Sequence, residues 1–334
     1  MPGLALAGQK ILVTGGSGFL GRHLLPRLVA GGAQVTCLAR SDRAASALPS
    51  GVKPAPGDCG DASAVAAAVA GQDAVIHMAG LLFGASWRDY LEANVAYARN
   101  IGAAAAKSDA RRIIFVSSLA AAGPCAALPG RDEQAAPAPV SAYGWSKLAA
   151  EDVLRNALGD RLVIARPPVI YGSGDRAMLP LFKSCKAGLG IAPARDFPLS
   201  LIHAEDAAAA IMLCLAPGAS GTYHLSDGQA HTMTEFCRVA GSHFGRQKLA
   251  MLRSPAWLLA ASAAAGSGIN LLLRALARKR RCLAWSWDKY REGSQAGWLA
   301  DDRRIRAELG FAQRQTLATG IAEAAAGYER DGWL

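Results

Sequence analysis

A tyrosine and a lysine stand four residues apart in the stretch SAYGWSKLAA, residues 141–150, at the start of an alanine-rich, helix-favouring run. Side chains at positions i and i+4 share one face of a helix, so Tyr143 and Lys147 are expected to point the same way. A phenol has a pKa of about 10 in isolation, and a nearby ammonium favours its charged form. Such a phenol can give or take a proton near neutral pH. A chance pair on a helix surface is the alternative.

Three glycines, Gly15, Gly18 and Gly21, follow the apolar run KILVTG and open a helical stretch. At a junction of this kind the early glycine permits a tight turn and the next lets the backbone approach a pyrophosphate. The last glycine lets the helix pack close to the strand, and the free N–H groups of that helix face the phosphates. The spacing at the first strand–helix junction therefore predicts a dinucleotide site.

Short apolar runs rich in Val and Ile alternate with helical stretches through the first half of the chain. The runs are KILVTG, AQVTCLA, DAVIHMAG, RRIIFVSS and RLVIARPP. Continuously apolar strands that alternate with helices predict an α/β fold with a doubly wound parallel sheet of the Rossmann type. We place this domain at residues 1–170. A smaller, irregular substrate domain is predicted for residues 171–334, with segments near 200–230 allowed to return to the first domain.

Composition narrows the class of protein. The chain has 334 residues, of which 51% are hydrophobic and 19% charged, which excludes a disordered chain. The net charge of +10 allows an anionic ligand or a membrane surface, and no basic stripe with interleaved aromatics indicates nucleic acid. Seven scattered cysteines without a C-x-x-C pair indicate reduced thiols. Only a short apolar lead precedes Lys10, so no signal peptide and a cytoplasmic location are expected.

Metal chemistry is not expected. The six histidines form no H-E-x-x-H or other paired spacing, and His77 is interpreted as a packed residue at a strand end. The cysteines lack the neighbours that mark a nucleophile.

The motifs together resemble the extended short-chain dehydrogenase/reductase superfamily, of the NAD-dependent epimerase/dehydratase type. They occur in family order over nearly the whole chain, as TGGSGFLG, GDCGD, VIHMAG, NVAYARN, FVSSLAAAG, SAYGWSK, RPPVIYGSGD, LSLIHAEDAA, ELGF and GYERDGWL. Within the superfamily the chain is most similar to the 3β-hydroxysteroid dehydrogenase and dihydroflavonol reductase-like branch.

The resemblance implies a catalytic set. The family's tyrosine and lysine fall on Tyr143 and Lys147, and its serine or threonine falls on Ser118. Tyr143 would exchange a proton with the substrate oxygen as hydride moves, Ser118 would bind that oxygen, and Lys147 would hold the nicotinamide ribose. Asn94 falls where relatives carry an asparagine that helps relay protons, with a plain buried asparagine as the alternative. Ser117 is expected to hold the strand end instead.

The resemblance also implies cofactor contacts along the ends of the predicted strands. They are Gly15, Ser17, Gly18, Phe19, Leu20, Gly21, Arg40, Asp58, Cys59, Met78, Ala79, Gly80, Tyr143, Lys147, Pro168 and Val169. Asp58 would cap the adenine amine, and the backbone of Pro168 and Val169 would face the nicotinamide. Tyr171 would start the substrate pocket.

The end of the second apolar run, VTCLARSDR, bears on the choice of cofactor. NAD-preferring relatives place an acidic residue where Ala39 stands, and Arg40 follows it. A missing carboxylate and a guanidinium favour the 2′-phosphate of NADP, with Arg43 and Arg22 as helpers. Asp42 keeps NAD as the alternative.

Two loops that should border the substrate pocket, LLFGASW and PCAALPG, are apolar. They favour reduction of a hydrophobic ketone or aldehyde, or oxidation of the matching alcohol. A nucleotide-sugar 4-epimerase or reductase is the alternative, although Arg176, Arg195 and Arg253 belong to no sugar-enzyme motif. A non-catalytic NADP-binding scaffold is a third alternative, against which the complete set of Ser, Tyr and Lys argues. The resemblance further implies a homodimer through helices that include the Tyr143 helix.

Residues 254–287 join an apolar stretch to a basic cluster. The apolar part, residues 255–273, is near the lower length limit for a spanning helix, and the residues Gly266, Ser267, Gly268 and Asn270 are expected to interrupt it. The basic residues Arg278, Lys279, Arg280 and Arg281 then precede Trp285 and Trp287. One interpretation is a pair of helices that cover the pocket. The other is weak, salt-sensitive contact with an anionic membrane, at the inner membrane surface, that depends on those four basic residues.

Overall fold

A seven-stranded parallel sheet forms the centre of the computed structural model, which describes residues 6–277 and 282–334. The strands are β1 (Lys10–Thr14), β2 (Gln34–Ala39), β3 (Val52–Pro56), β4 (Ala74–His77), β5 (Arg112–Val116), β6 (Leu162–Arg166), β7 (Val169–Tyr171), β8 (Leu189–Pro193), β9 (Leu201–His203), β10 (Gly221–His224) and β11 (Ala250–Ser254). The sheet has the order β10–β6–β5–β4–β1–β2–β3, with every neighbouring pair parallel. The order reverses beside β1, where dinucleotides bind in doubly wound folds.

Helices cover both faces of this sheet, which confirms the predicted doubly wound architecture. They are α1 (Phe19–Ala30), α2 (Asp42–Ser46), α3 (Ala62–Val69), α4 (Trp87–Tyr90), α5 (Ala96–Ala106), α6 (Leu119–Ala122), α7 (Ala142–Leu158), α8 (Leu179–Lys186), α9 (Ala204–Leu213), α10 (Met233–His243), α11 (Ala256–Ala277), α12 (Trp287–Gly293), α13 (Arg303–Leu309) and α14 (Leu317–Arg330). A π-helical turn, Leu91–Val95, joins α4 to α5.

Alternate side chains of each central strand enter opposite hydrophobic layers. Ile11 of β1 packs in the layer that α1 and α9 cover, with Ile211 among its neighbours. Leu12 packs in the layer of α3, α5 and α7, with Leu154. Because both faces are buried, the central strands are apolar throughout, which is why they were readable as continuous runs.

The second half of the chain builds a smaller core and also completes the sheet. Its core gathers Phe182 of α8, Phe236 of α10 and Tyr328 of α14, next to the short sheets β7–β9 and β8–β11. Strand β10 leaves this part and pairs with β6 at the sheet edge. Tyr171 is only 1% exposed in the smaller core, where its ring contacts Phe236, so the expectation that it starts the substrate pocket is wrong.

The apolar stretch near residue 260 forms one continuous helix, α11, of 22 residues. The helix is not interrupted as expected. Its polar and glycine residues instead contact the segment around residues 283–287, which runs back alongside the helix. Asn270 bonds the backbone of Leu283 in both directions, at 2.6 and 3.2 Å. A Cβ at Gly266 would lie 2.5 Å from the carbonyl oxygen of Trp285. By length and composition Ala256–Leu276 could cross a membrane. The basic cluster at 278–281 lies outside the described residues.

Candidate active site

The glycine loop between β1 and α1 forms a cradle that side chains would fill. Gly15 has φ +76°, and a Cβ there would lie 2.7 Å from the backbone nitrogen of Ala79. A Cβ at Gly21 would lie 1.9 Å from the carbonyl oxygen of Gly16, so only glycine allows this helix to approach the loop. Gly18 is the N-cap of α1 and supplies no side-chain cap, so the first N–H groups of the helix remain for a phosphate. The loop fits a dinucleotide pyrophosphate.

The other residues predicted for the cofactor lie around the same edge of the sheet. Ser17, Phe19 and Leu20 belong to the glycine loop and the first turn of α1, Arg40 follows β2, and Asp58 and Cys59 follow β3. Met78, Ala79 and Gly80 follow β4, Pro168 lies between β6 and β7, and Val169 begins β7. Carboxyl ends of parallel strands meet at one edge of the sheet, which brings these residues together.

The arginine that follows β2 is available to an anionic ligand. Arg40 is exposed, and its guanidinium makes no hydrogen bond or ion pair with any of residues 6–277 and 282–334. Ala39 before it is buried at the strand end. Arg22, which was expected to help, instead contacts Asp331 of the C-terminal segment at 3.4 Å.

The tyrosine and serine predicted for catalysis meet across two helix starts. Tyr143 lies in the first turn of α7, whose N-cap is Ser141. Ser118 follows β5 as the N-cap of α6, and its side chain hydrogen-bonds Tyr143. Burial raises the pKa of the Tyr143 phenol above its usual value, and the bond to Ser118 opposes that rise only in part. The phenol therefore keeps its proton at neutral pH, as a proton donor must.

The lysine one turn further along α7 is held by the sheet instead of by the phenol. Lys147 Nζ donates to the carbonyl oxygen of Val116 at 2.7 Å and lies 4.3 Å from the Phe115 ring centroid. Burial lowers the pKa of Lys147 to about 8, although the nearby Glu151 carboxylate favours the charged form. The ammonium is thus positive at neutral pH and loses its proton at mildly alkaline pH.

The predicted asparagine lies in the π-helical turn, a feature frequent at functional sites. Asn94 Oδ1 accepts a hydrogen bond from the Leu81 nitrogen at 2.7 Å, and Nδ2 donates to Ser146 Oγ at 2.9 Å. A Cβ at Gly80 would lie 2.9 Å from the same Oδ1. These bonds tie the loop after β4 to α7.

A buried ion pair supports α7 behind the lysine. Glu151 receives hydrogen bonds from Arg166 at 2.9 and 2.6 Å and from Ser117 Oγ at 2.5 Å. Hydrogen bonding to Arg166 keeps the pKa of Glu151 below its ordinary value despite burial. The Ser117 hydroxyl therefore holds the strand end, as the sequence indicated.

A distant segment that the sequence analysis missed completes the start of α7. The carboxylate of Asp288, in α12, accepts hydrogen bonds from the backbone nitrogens of Ala142 at 2.6 Å and Tyr143 at 3.2 Å. Glu292 accepts a hydrogen bond from Ser141 Oγ at 2.5 Å. Carboxylates at a helix N-terminus also favour the helix dipole. No local pattern around residue 288 indicates this role.

The same helix places a cation over the ring of Tyr143. Lys289 Nζ lies 4.3 Å from the Tyr143 ring centroid and 5.7 Å from that of Phe83, in the loop after β4. Glu292 pairs with Lys289 at 2.9 Å. Helix α12 thus lies directly beside Tyr143.

Curated relatives include reductases and an epimerase. The ceramide reductase of Caulobacter vibrioides is 32% identical over 255 residues, 75% of each chain. The 4-hydroxy-2-methyl-3-oxo-4-farnesyl-3,4-dihydroquinoline-1-oxide ketoreductase of Stigmatella aurantiaca is 30% identical over 94% of this chain and 95% of its own. A UDP-glucose 4-epimerase of Azospirillum brasilense is 28% identical over 97% and 93% of the two chains.

A solved structure supports the fold, and a family profile identifies the family. The Bordetella bronchiseptica enzyme WbmG, solved with NAD, has a TM-score of 0.76 at 20% identity and covers 98% of this chain and 96% of its own, which supports the fold. The profile of the NAD dependent epimerase/dehydratase family matches residues 11–225. The chain therefore belongs to the NAD-dependent epimerase/dehydratase family, within the extended short-chain dehydrogenase/reductase superfamily, and is an NAD-dependent enzyme.

Proposed function

We propose that the enzyme reduces the carbonyl group of a lipid-like substrate that carries a long apolar chain, with NADPH as the preferred hydride donor. The observation that carries this proposal is the placement of Tyr143, in the first turn of α7, beside Ser118, the N-cap of α6, at the edge of the sheet where the glycine loop opens. A protonated phenol suits the reducing direction, in which the carbonyl oxygen gains a proton.

Each catalytic side chain has a task that its position supports. Reduced nicotinamide, when bound, supplies the hydride. Ser118 hydrogen-bonds the carbonyl oxygen and sets its direction toward Tyr143, which donates its proton to that oxygen. Lys147 holds the ribose hydroxyls, and its positive charge stabilises the phenolate that remains on Tyr143.

Apolar surroundings and the relatives' names support the substrate class. The loop after β4 places Phe83 near the ammonium beside Tyr143, and Leu82 in the same loop is exposed. The names of two relatives, the ceramide reductase and the farnesyl-bearing ketoreductase, denote substrates with long hydrocarbon chains. We infer a carbonyl on an alkyl or prenyl amphiphile for this enzyme as well.

NADPH is proposed over NADH because Arg40 is exposed and unpaired among the described residues, and because Ala39 replaces the usual carboxylate. A guanidinium is suited to the 2′-phosphate. Asp42, two residues further on, is the feature that favours NADH.

The experiment is a screen of NADPH consumption over long-chain 3-oxo amides, short ketones and UDP-glucose, with product analysis for UDP-galactose. We expect oxidation of NADPH with the long-chain ketones and no change in UDP-glucose. Formation of UDP-galactose without ketone reduction would replace the proposal by the epimerase alternative, which the Azospirillum relative favours over most of the chain.

A further inference from the structure

The solvent-facing side of α11 is apolar from end to end. No charged residue stands between Arg253 and Arg274. The outer face of α11 comprises the exposed side chains Trp257, Leu258, Ile269, Leu271, Leu272 and Leu276. Trp257 is 72% exposed and Leu276 74%. A helix at a protein–water boundary normally turns its polar side outward, and an exposed apolar area of this kind marks an interaction surface.

Three polar side chains of α11 bond the chain segment that returns alongside the helix. Ser262 Oγ accepts a hydrogen bond from Trp285 Nε1 at 3.0 Å, and Ser267 Oγ accepts one from the Trp287 nitrogen at 2.8 Å. Asn270 is buried and bonds the same returning segment. The returning segment therefore engages these three hydrogen-bonding groups of α11, whereas the large apolar side chains of the outer face have no such cover.

Basic and aromatic residues that adjoin α11 in the sequence fit an anionic lipid surface. Residues 254–287 contain Arg274 and the four basic residues at 278–281, and no aspartate or glutamate. Basic residues beside an apolar segment are attracted to anionic head groups. Trp285 and Trp287, on the returning segment, are exposed beside the helix. Tryptophan is favoured at the boundary between lipid tails and head groups.

Both ends of α11 are fastened to the folded protein. Strand β11, which leads into it, pairs with β8. Near its end, Arg274 contacts Asp89 at 3.2 Å and also hydrogen-bonds Ser86 Oγ. A helix tied at both ends lies along the protein and presents its outer face sideways, so it suits lying in a bilayer surface better than crossing it.

We propose that the outer face of α11 rests on an anionic lipid bilayer and that the lipid-like substrate reaches Tyr143 from that bilayer. The route is short in the structure, because Asp89, which binds Arg274, adjoins Tyr90, whose ring lies 6.1 Å from that of Tyr143. The docking stands independently of the proposed reductase activity, whereas the delivery of substrate rests on it.

Sedimentation with vesicles tests the docking. We compare phosphatidylcholine vesicles with and without phosphatidylglycerol, at low and high salt. The wild type is expected to pellet with the anionic vesicles at low salt only. The variant Leu272→Ser/Leu276→Ser is expected to bind at least about tenfold more weakly, because two apolar side chains no longer enter the lipid. The control Leu272→Met/Leu276→Met keeps both positions apolar and is expected to pellet like the wild type.

Two outcomes would overturn the docking. One is wild-type protein that stays in the supernatant with anionic vesicles. The other is a wild type that self-associates in gel filtration while the serine variant does not, since a second copy would then cover this face. NADPH oxidation with the long-chain 3-oxo amide of the substrate screen is measured without vesicles in parallel. If the wild type and both variants oxidise NADPH but none of them pellets, only the membrane docking is contradicted. If the protein pellets but oxidises no NADPH, only the proposed reductase activity is contradicted.

Discussion

Asp288 accepts a hydrogen bond from the backbone nitrogen of Tyr143 at 3.2 Å, across 145 residues of sequence. The backbone of Tyr143, the proposed proton donor, is thus fixed by a segment far along the chain. The same carboxylate binds the nitrogen of Ala142, so it satisfies two N–H groups that the helix itself leaves unpaired.

Removal of this cap is expected to harm catalysis beyond its effect on stability. Asp288→Ala should lower the free energy of unfolding by about 1 kcal/mol and the turnover by about tenfold, because the first turn of α7 loosens. Thr232→Ala, which removes the cap of α10, is the matched control. It should cost similar stability in urea denaturation and leave turnover intact. Equal turnover in the two variants would show that Asp288 is only a stabilising residue.

Tyr143→Phe should reduce turnover by at least about two orders of magnitude, because the variant lacks the proton donor. Steady-state kinetics measure this loss. Affinity for NADPH, measured by fluorescence titration, should hardly change. Lys147→Ala, by contrast, should lower both. A Phe variant with the parental rate would contradict the proposed proton transfer.

Arg40 is expected to determine the cofactor preference. NADPH should bind at least about tenfold more tightly than NADH, a difference of about 1.4 kcal/mol. Arg40→Ala should remove most of this difference and leave NADH binding unchanged, as measured by calorimetric titration. Arg238→Ala, an exposed arginine of α10, serves as the control and should change neither affinity. Equal affinities of the wild type for NADPH and NADH would rule out the proposed preference for NADPH.

NADPH affinity should depend on pH through Lys147. Its pKa is lowered by burial to about 8, so the ammonium is charged below that pH and neutral above it. Binding that uses the ammonium is therefore strongest below pH 8 and weakens as pH rises through that value. Titrations between neutral and alkaline pH measure the inflection, which should disappear in Lys147→Ala and persist in Arg40→Ala. A flat wild-type profile would show that Lys147 does not bind the cofactor through its charge.

The buried ion pair behind Lys147 gives a stability prediction. Glu151→Gln leaves the buried charge of Arg166 without its partner and should lower the free energy of unfolding by about 3 kcal/mol. Urea denaturation measures the loss. Asp152→Asn removes an exposed partner of Arg155 on the same helix and should cost less than about 1 kcal/mol. Similar losses in both variants would mean that the Glu151 pair is no stronger than a surface pair.

The strands and loops whose structure depends on their own residues could be predicted from the sequence. Strands β1, β2, β4, β5 and β6 were predicted because burial on both faces makes them continuously apolar. Strand β3 was missed because it lies at the sheet edge and contains Pro54 and Pro56, which an edge strand tolerates. The glycine loop was readable because its backbone itself requires glycine.

Structural features that depend on contacts between distant segments of the chain could not be predicted from the sequence. Asp288 and Lys289 belong to a helix of seven residues whose sequence carries no catalytic pattern. Their effect on Tyr143 arises only from the packing of α12 against the start of α7. The continuity of α11 was missed for the same reason, since Asn270 is compatible with the helix only because Leu283 returns to meet it.

The pairing of β10 with β6 has a consequence for the order in which the chain is made. Translation releases Ser118, Tyr143 and Lys147 well before Gly221–His224, and Asp288 later still. A nascent chain therefore carries Ser118, Tyr143 and Lys147 while the edge of β6 is unpaired, and open edges invite association with other strands. The sheet reaches full width only after residue 224 of the 334 has been made, and the helix that begins at Ala142 gains its Asp288 cap later still.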